Sequence, residues 1–179
     1  QMNGFRRIAG LIALALVLGA CANPLTRNIN IDSQMSDTAD FSTVKTYQWL
    51  ASAQILNDKE GQWEPRGLDS DAEIRFLINR ELRARGITEV AANPDVFVAY
   101  VGGVDMDAMD WRVDPKTKLQ VLKAEPEGSL AVILLDGQTG DPIWGAVASD
   151  RVESQQTVEA ARTRLDYAVT KMFKRLPKS

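Results

Sequence analysis

The sequence predicts an α+β domain of two layers, a mixed and mostly antiparallel sheet of about five strands covered by two helices. Three observations carry that expectation. Residues 70–85 and 155–176 place apolar side chains at the three- and four-residue spacing of amphipathic helices. Residues 130–148 read as a β-hairpin, two apolar runs around a turn that holds Gly137 and Gly140. Residues 96–101 are apolar on both faces, as a central strand is.

Each element has its own reason. Residues 28–32 alternate polar and apolar, the period of a short edge strand. In residues 45–50, Tyr47 and Trp49 share one face of a second strand. Residues 51–68 show no apolar period and read as a long surface loop in which Trp63 can cover the core edge. In the first helix Ser70 and Glu73 form a capping box, Ile74, Leu77, Ile78 and Leu82 make the buried stripe, and Gly86 is the stop. Asn93-Pro94-Asp95 is a turn into the central strand, which Gly102-Gly103 should end. Residues 105–115 read as an acidic loop, and 118–123 as a further strand around Leu119 and Val121. The second helix carries Val158, Ala161, Leu165, Ala168, Met172 and Leu176 on one side and ends before Pro177.

The N-terminus addresses the chain rather than folding it. Arg6 and Arg7 precede an apolar segment over residues 8–18, then Gly19, Ala20 and Cys21, which is the order of a signal peptide over residues 1–20. A bilayer-spanning helix needs about 20 apolar residues, and this run is shorter and is followed by Asn23 and Pro24. Residues 21–27 then read as a tether, and residues 28–179 as one globular domain.

Composition narrows the chemistry. The formal net charge is −3, and the leader's two arginines leave the remainder more acidic still, which argues against nucleic acid as a partner. The 179 residues contain no histidine and one cysteine, so Ser-His-Asp and Cys-His catalysis and the usual zinc sites are excluded. No glycine-rich phosphate loop is present, and no cofactor is expected. Ser42 and Lys45 fit S-x-x-K nominally, without the companion motifs of the β-lactamases. Asp105, Asp107 and Asp110 are weak candidates for a divalent cation, because they lack the D-x-D-x-D-G run of an EF-hand loop. A pair of facing carboxylates, as in a glycosidase, is a matter of tertiary placement. Of the four tryptophans, Trp49 and Trp144 on strands belong to the core, whereas Trp63 and Trp111 in predicted loops are the candidate binding surface.

Two resemblances add to this reading. Leu18-Gly19-Ala20-Cys21 resembles the lipobox of bacterial lipoproteins, which implies a diacylglyceryl group on the Cys21 sulfur, cleavage before it and acylation of the new amine, with the membrane as partner through that lipid. Ala22 in place of an aspartate implies sorting to the outer membrane, facing the periplasm. The stretch from Asp40 to Trp49 with its F-x-x-x-K-T-Y-x-W pattern, then Pro94 to Tyr100, Ile143-Trp144-Gly145, and Ala168 to Pro177 resemble the bacterial lipoproteins grouped as domain of unknown function 4136. That likeness implies a sheet with two covering helices on an outer-membrane anchor and implies no catalytic residues. The acidic stretch from Asp105 to Asp114 is not part of the pattern. The expectation is a non-enzymatic interaction or scaffold module of the cell envelope, with another envelope protein or peptidoglycan as partner. A lipid- or small-ligand-binding module and a carboxylate-based hydrolase are the alternatives.

Overall fold

The computed structural model describes residues 23–37, 39–105, 109–113, 120–124, 127–152 and 156–177. The elements in chain order are β1 (Asn30–Met35), β2 (Thr46–Asn57), α1 (Ser70–Arg83), β3 (Thr88–Glu89), β4 (Val96–Asp105), β5 (Met109–Val113), β6 (Gln120–Ala124), β7 (Glu127–Asp136), β8 (Pro142–Arg151) and α2 (Val158–Phe173). Six strands form one sheet in the order β1-β8-β7-β4-β2-β3, and β5 pairs with β6 in a separate two-stranded ribbon. Pairing is antiparallel from β1 to β4 and parallel from β4 through β2 to β3. The parallel step is where α1 intervenes, since parallel neighbours need a long crossover. The α+β two-layer class is therefore observed, with six strands and a ribbon in place of about five strands.

Both helices lie on one side of the sheet. Val96, Val98 and Tyr100 of β4, Val132 and Leu134 of β7, and Trp144 and Ala146 of β8 are buried beneath them. Ile74, Leu77, Ile78 and Leu82 of α1 close over one half of this layer, and Val169, Met172 and Phe173 of α2 over the other. Trp144 and Phe173 meet with ring centroids 5.3 Å apart, so the sheet and α2 share one aromatic contact at the core centre.

Several boundaries differ from the sequence expectation. β1 starts two residues later than residue 28 and runs to Met35 along β8. β2 continues through residues 51–57, which the absence of an apolar period makes look like loop; paired to β4 along its whole length, this stretch is held by backbone bonds and needs no buried stripe. A register shift between Trp49 and Ala51 marks a bulge at Leu50. β4 passes through Gly102 and Gly103 to Asp105, where a Cβ on Gly103 would approach Ser129 Oγ to 3.2 Å. Residues 109–113 form β5 instead of loop.

The cap of α1 is Asp69, whose side chain accepts from the Ala72 N–H at 2.9 Å, one residue before the capping box expected at Ser70. Ser70 is buried and accepts from Gln54 Nε2 at 3.0 Å, so its hydroxyl ties α1 to β2. The stop is as expected: Gly86 has φ of +76° and the Ile87 N–H returns to the Leu82 carbonyl at 3.0 Å. Residues 24–28 form a turn closed by the Thr26 N–H on the Asn23 carbonyl, with Thr26 buried, so structured chain begins inside the stretch read as tether.

Candidate functional site

The segment that looks most distinctive in the sequence is a structural joint. Phe41 and Val44 are buried and set the entry of β2. Asp95 Oδ2 then accepts from the backbone N–H groups of Lys45 and Thr46, each at 2.9 Å, and from the Thr46 hydroxyl at 2.8 Å. These donors, the Lys45 amide first, hold the Asp95 carboxyl below its ordinary 3.8. Tyr47 Oη and Trp49 Nε1 both donate to Asn79 Oδ1, at 2.8 and 2.9 Å, which fixes α1 over β2. Burial, with the nearby Glu89 charge second, pushes the Tyr47 phenol up to about 12. Arg75 lies 4.2 Å over the Trp49 ring. Ser42 donates its hydroxyl to Asp40 Oδ1 at 2.6 Å in an exposed turn, an arrangement that serves the turn and not a nucleophile.

Carboxylates that cluster near this rim are engaged in the same way. Asp136 Oδ1 accepts from the Gln138 and Thr139 N–H groups at 2.8 Å each, and these hold its carboxyl low, Thr139 first. Asp40 is lowered by the Ser42 hydroxyl and then its amide. Among the described residues no three of His, Cys, Asp and Glu come together as a metal-sized group.

Among the described residues, the second face of the six-stranded sheet carries no helix. Toward the β4–β7 end it forms a concavity of about 970 Å³ floored by Val101, Ala131 and Ser129. Its lining is charged in both signs, with Arg27, Arg151, Glu127 and Asp105, and Glu127 stands in register between Arg151 and Asp105. Asn57 Nδ2 donates to Asp105 Oδ1 at 2.6 Å, so this cation candidate is already hydrogen-bonded across β2 and β4.

Trp63 belongs to a different place. Between α2 and the sheet, with Leu68, Leu130 and Leu165, it lines an apolar pocket of about 100 Å³. Asp58 Oδ2 accepts from the Trp63 N–H at 3.0 Å, and Gln156 Nε2 donates to the Trp63 carbonyl at 3.2 Å. At the mouth Arg164 pairs with Asp150 at 2.8 Å, and burial raises the Asp150 carboxyl against the pull of that guanidinium. Arg164 also donates to the Leu25 carbonyl at 3.2 Å and the Arg151 carbonyl at 2.5 Å. The N-terminal segment is thereby latched onto α2 beside the pocket.

The sequence-predicted residues are thus spread over separate places. Cys21 and Asp107 lie outside the described residues. Trp111 and Asp110 sit on β5, in register with Leu122 and Lys123 of β6, away from the loop in which they were expected. Trp63 lines the apolar pocket between α2 and the sheet. Sequence reasoning passed over Asn79 and Arg164. A polar residue beside Ile78 on the helix border was the one available signal for Asn79, and nothing local distinguishes Arg164 from any solvated helix arginine.

With this geometry in place, comparison with known proteins is informative about kinship. The family described as Domain of unknown function (DUF4136) matches residues 31–178. The chain belongs to this family. A DUF4136 family protein from Bacteroides thetaiotaomicron has a similar solved structure, at 14% identity and TM-score 0.56, covering 84% of this chain and 97% of that one. A PDZ domain protein from Parabacteroides distasonis is similar at 15% identity and TM-score 0.52, covering 86% of this chain. The chain spans only 38% of that second protein's length. Both likenesses are of fold. No curated protein matches the chain. Within the DUF4136 fold the Lys45-Thr46-Tyr47 stretch and Asp95 join β2, β4 and α1, which is an architectural role for the family-like motif.

Proposed function

We propose that this DUF4136 chain is a lipid-anchored protein of the bacterial envelope that acts without catalysis, holding another envelope protein against the uncovered face of its sheet. The observation that carries the reading is that open face, a concavity of about 970 Å³ in which Val101 and Ala131 lie among polar side chains and charges of both signs. A few apolar side chains ringed by polar and charged ones suit a non-obligate protein contact, which is about as polar as ordinary protein surface. The lipobox-like run ending at Cys21 supplies the anchor, sorted to the outer membrane on the side of the periplasm. Each buried methylene contributes about 0.8 kcal/mol, so two or three acyl chains make attachment lasting.

Two observations speak against the alternatives. The apolar Trp63 pocket, at about 100 Å³, is below the roughly 300–1,000 Å³ of small-molecule sites, and the concavity of about 970 Å³ has the size but a mostly polar and charged lining where such sites are predominantly apolar. Among the described residues, the carboxylates with shifted pKa are turn caps at Asp40, Asp58 and Asp136, a strand joint at Asp95, and an ion pair at Asp150. A hydrolytic pair instead needs an acid kept available to substrate.

The test is co-purification from membranes after in-cell crosslinking, comparing the native protein with Cys21→Ser, with mass spectrometry of partners and of the N-terminus. A lipid-modified N-terminus and one dominant protein partner, lost on Val101→Glu, is the expected result. An unmodified N-terminus overturns the anchor, and recovery of peptidoglycan fragments alone overturns the protein partner.

A further inference from the structure

The two edges of the six-stranded sheet are not protected equally. β1, at one edge, carries Asp32, whose carboxylate accepts from the Ser33 N–H at 2.8 Å and so occupies one edge donor. A charge and a filled donor are standard ways to keep an edge from pairing. β2 is covered on its outer side by β3 only at Thr46 and Tyr47. Among the described residues the last backbone bond on that side is the Val90 N–H to the Tyr47 carbonyl, at 2.9 Å. From Gln48 to Asn57 the outer backbone edge of β2 therefore pairs with no strand among the described residues.

The side chains of this edge do nothing to close it. Thr46–Asn57 contains no Asp, Glu, Lys, Arg or Pro. Leu50, Ile55 and Leu56 are 56%, 68% and 48% exposed, Ile55 on the same face as Val101 of the adjacent strand and Leu56 on the helix side. The bulge at Leu50 is the single irregularity, and seven residues of regular strand follow it.

We propose that the outer edge of β2 pairs antiparallel with the β2 edge of a second copy of this chain, joining two sheets into one. An uncharged edge is its own complement, because pairing it with itself sets no like charges opposite each other. With Ala53 at the two-fold axis, Ala51 falls opposite Ile55 and Ser52 opposite Gln54, so over the regular stretch the exposed Ile55 meets an apolar partner and no charges meet. Both helix layers then lie on the same side, and the two open faces become one continuous surface. The inference rests on the edge alone and stands whether or not the open face binds a protein.

The experiment measures the mass of the full chain in detergent by light scattering over about 1–100 µM, alongside Ile55→Lys, Ile55→Thr and single cysteines introduced as Ala53→Cys and Gln34→Cys. Expected are a dimer for the native chain and for Ile55→Thr, at least tenfold weaker association for Ile55→Lys with an unchanged circular dichroism spectrum and Tm, and a disulfide mapped to residue 53 but none to residue 34. A monomer throughout the range overturns the proposal. So does a dimer indifferent to Ile55→Lys, or a β2 edge that captures a strand from another protein while the chain itself stays monomeric.

Discussion

The two faces of the six-stranded sheet are made by the same strands, one residue apart, and differ in nearly everything else. On β8, Trp144 is 2% exposed and Val147, three residues on and facing the other way, is 43% exposed. The covered face is filled by large apolar side chains from α1 and α2, and its few polar atoms are bonded in fixed geometry, as at Asn79. The open face carries apolar side chains as well, Val101, Ala131, Ile133 and Val147 among them, but they stay half-buried or exposed, with the charges of Asp105, Glu127 and Arg151 at one end of the strands. Stability is concentrated on one side of the sheet, which leaves the other free to be shaped for contact.

Substitutions should separate the faces cleanly, beginning with the largest effect. Trp144→Ala removes the indole that meets Phe173 and should cost about 3–5 kcal/mol in urea unfolding. A loss below about 1 kcal/mol would mean the covered face is not where the stability lies. Asn79→Ala strands the Tyr47 hydroxyl and the Trp49 N–H and should cost about 2–3 kcal/mol, read by the same method. Tyr47→Phe combined with Asn79→Ala should lose less than the two separate changes added together, since they share a partner.

Asp95→Asn tests the joint at the rim, with a loss of about 1–2 kcal/mol at neutral pH. Its sign with pH is defined. The folded carboxyl lies below 3.8, so its contribution is full above that value and disappears as pH falls through the folded pKa. The native chain should therefore lose stability on acidification that Asp95→Asn does not lose. Equal acid profiles for the two would remove the carboxylate from the joint. Smallest of all, Val147→Ser should shift stability by no more than about 0.5 kcal/mol while reducing crosslinking to the partner. A large loss of stability there would show that the open face is part of the core.

How much of this was legible depends on how local the cause is. The α1 stripe, its glycine stop and the β7–β8 hairpin could be read directly, because helical spacing and turn glycines act within a few residues. Residues 51–57 were misread as loop since their pairing to β4 is a contact across about fifty positions that asks nothing of their side chains. The cap at Asp69 was displaced from Ser70 because Gln54, distant in sequence, uses the Ser70 hydroxyl. Trp63, expected to cover the core edge, lines a pocket completed by Leu130 and Leu165 from elements far down the chain, which no local pattern could show.

By itself the sequence determined the two helices, the β7–β8 hairpin, the two-layer class, and the exclusion of histidine- and cysteine-based chemistry, all of which follow from side-chain period and from residue types present or missing. Only the tertiary structure decided which face of the sheet is covered, that Asp95 and Asn79 are joints, that Arg164 holds the Leu25 carbonyl, and that β2 presents an uncharged open edge. Those facts depend on which strands become neighbours, and long-range pairing is set by the packing of the whole chain rather than by any stretch of it.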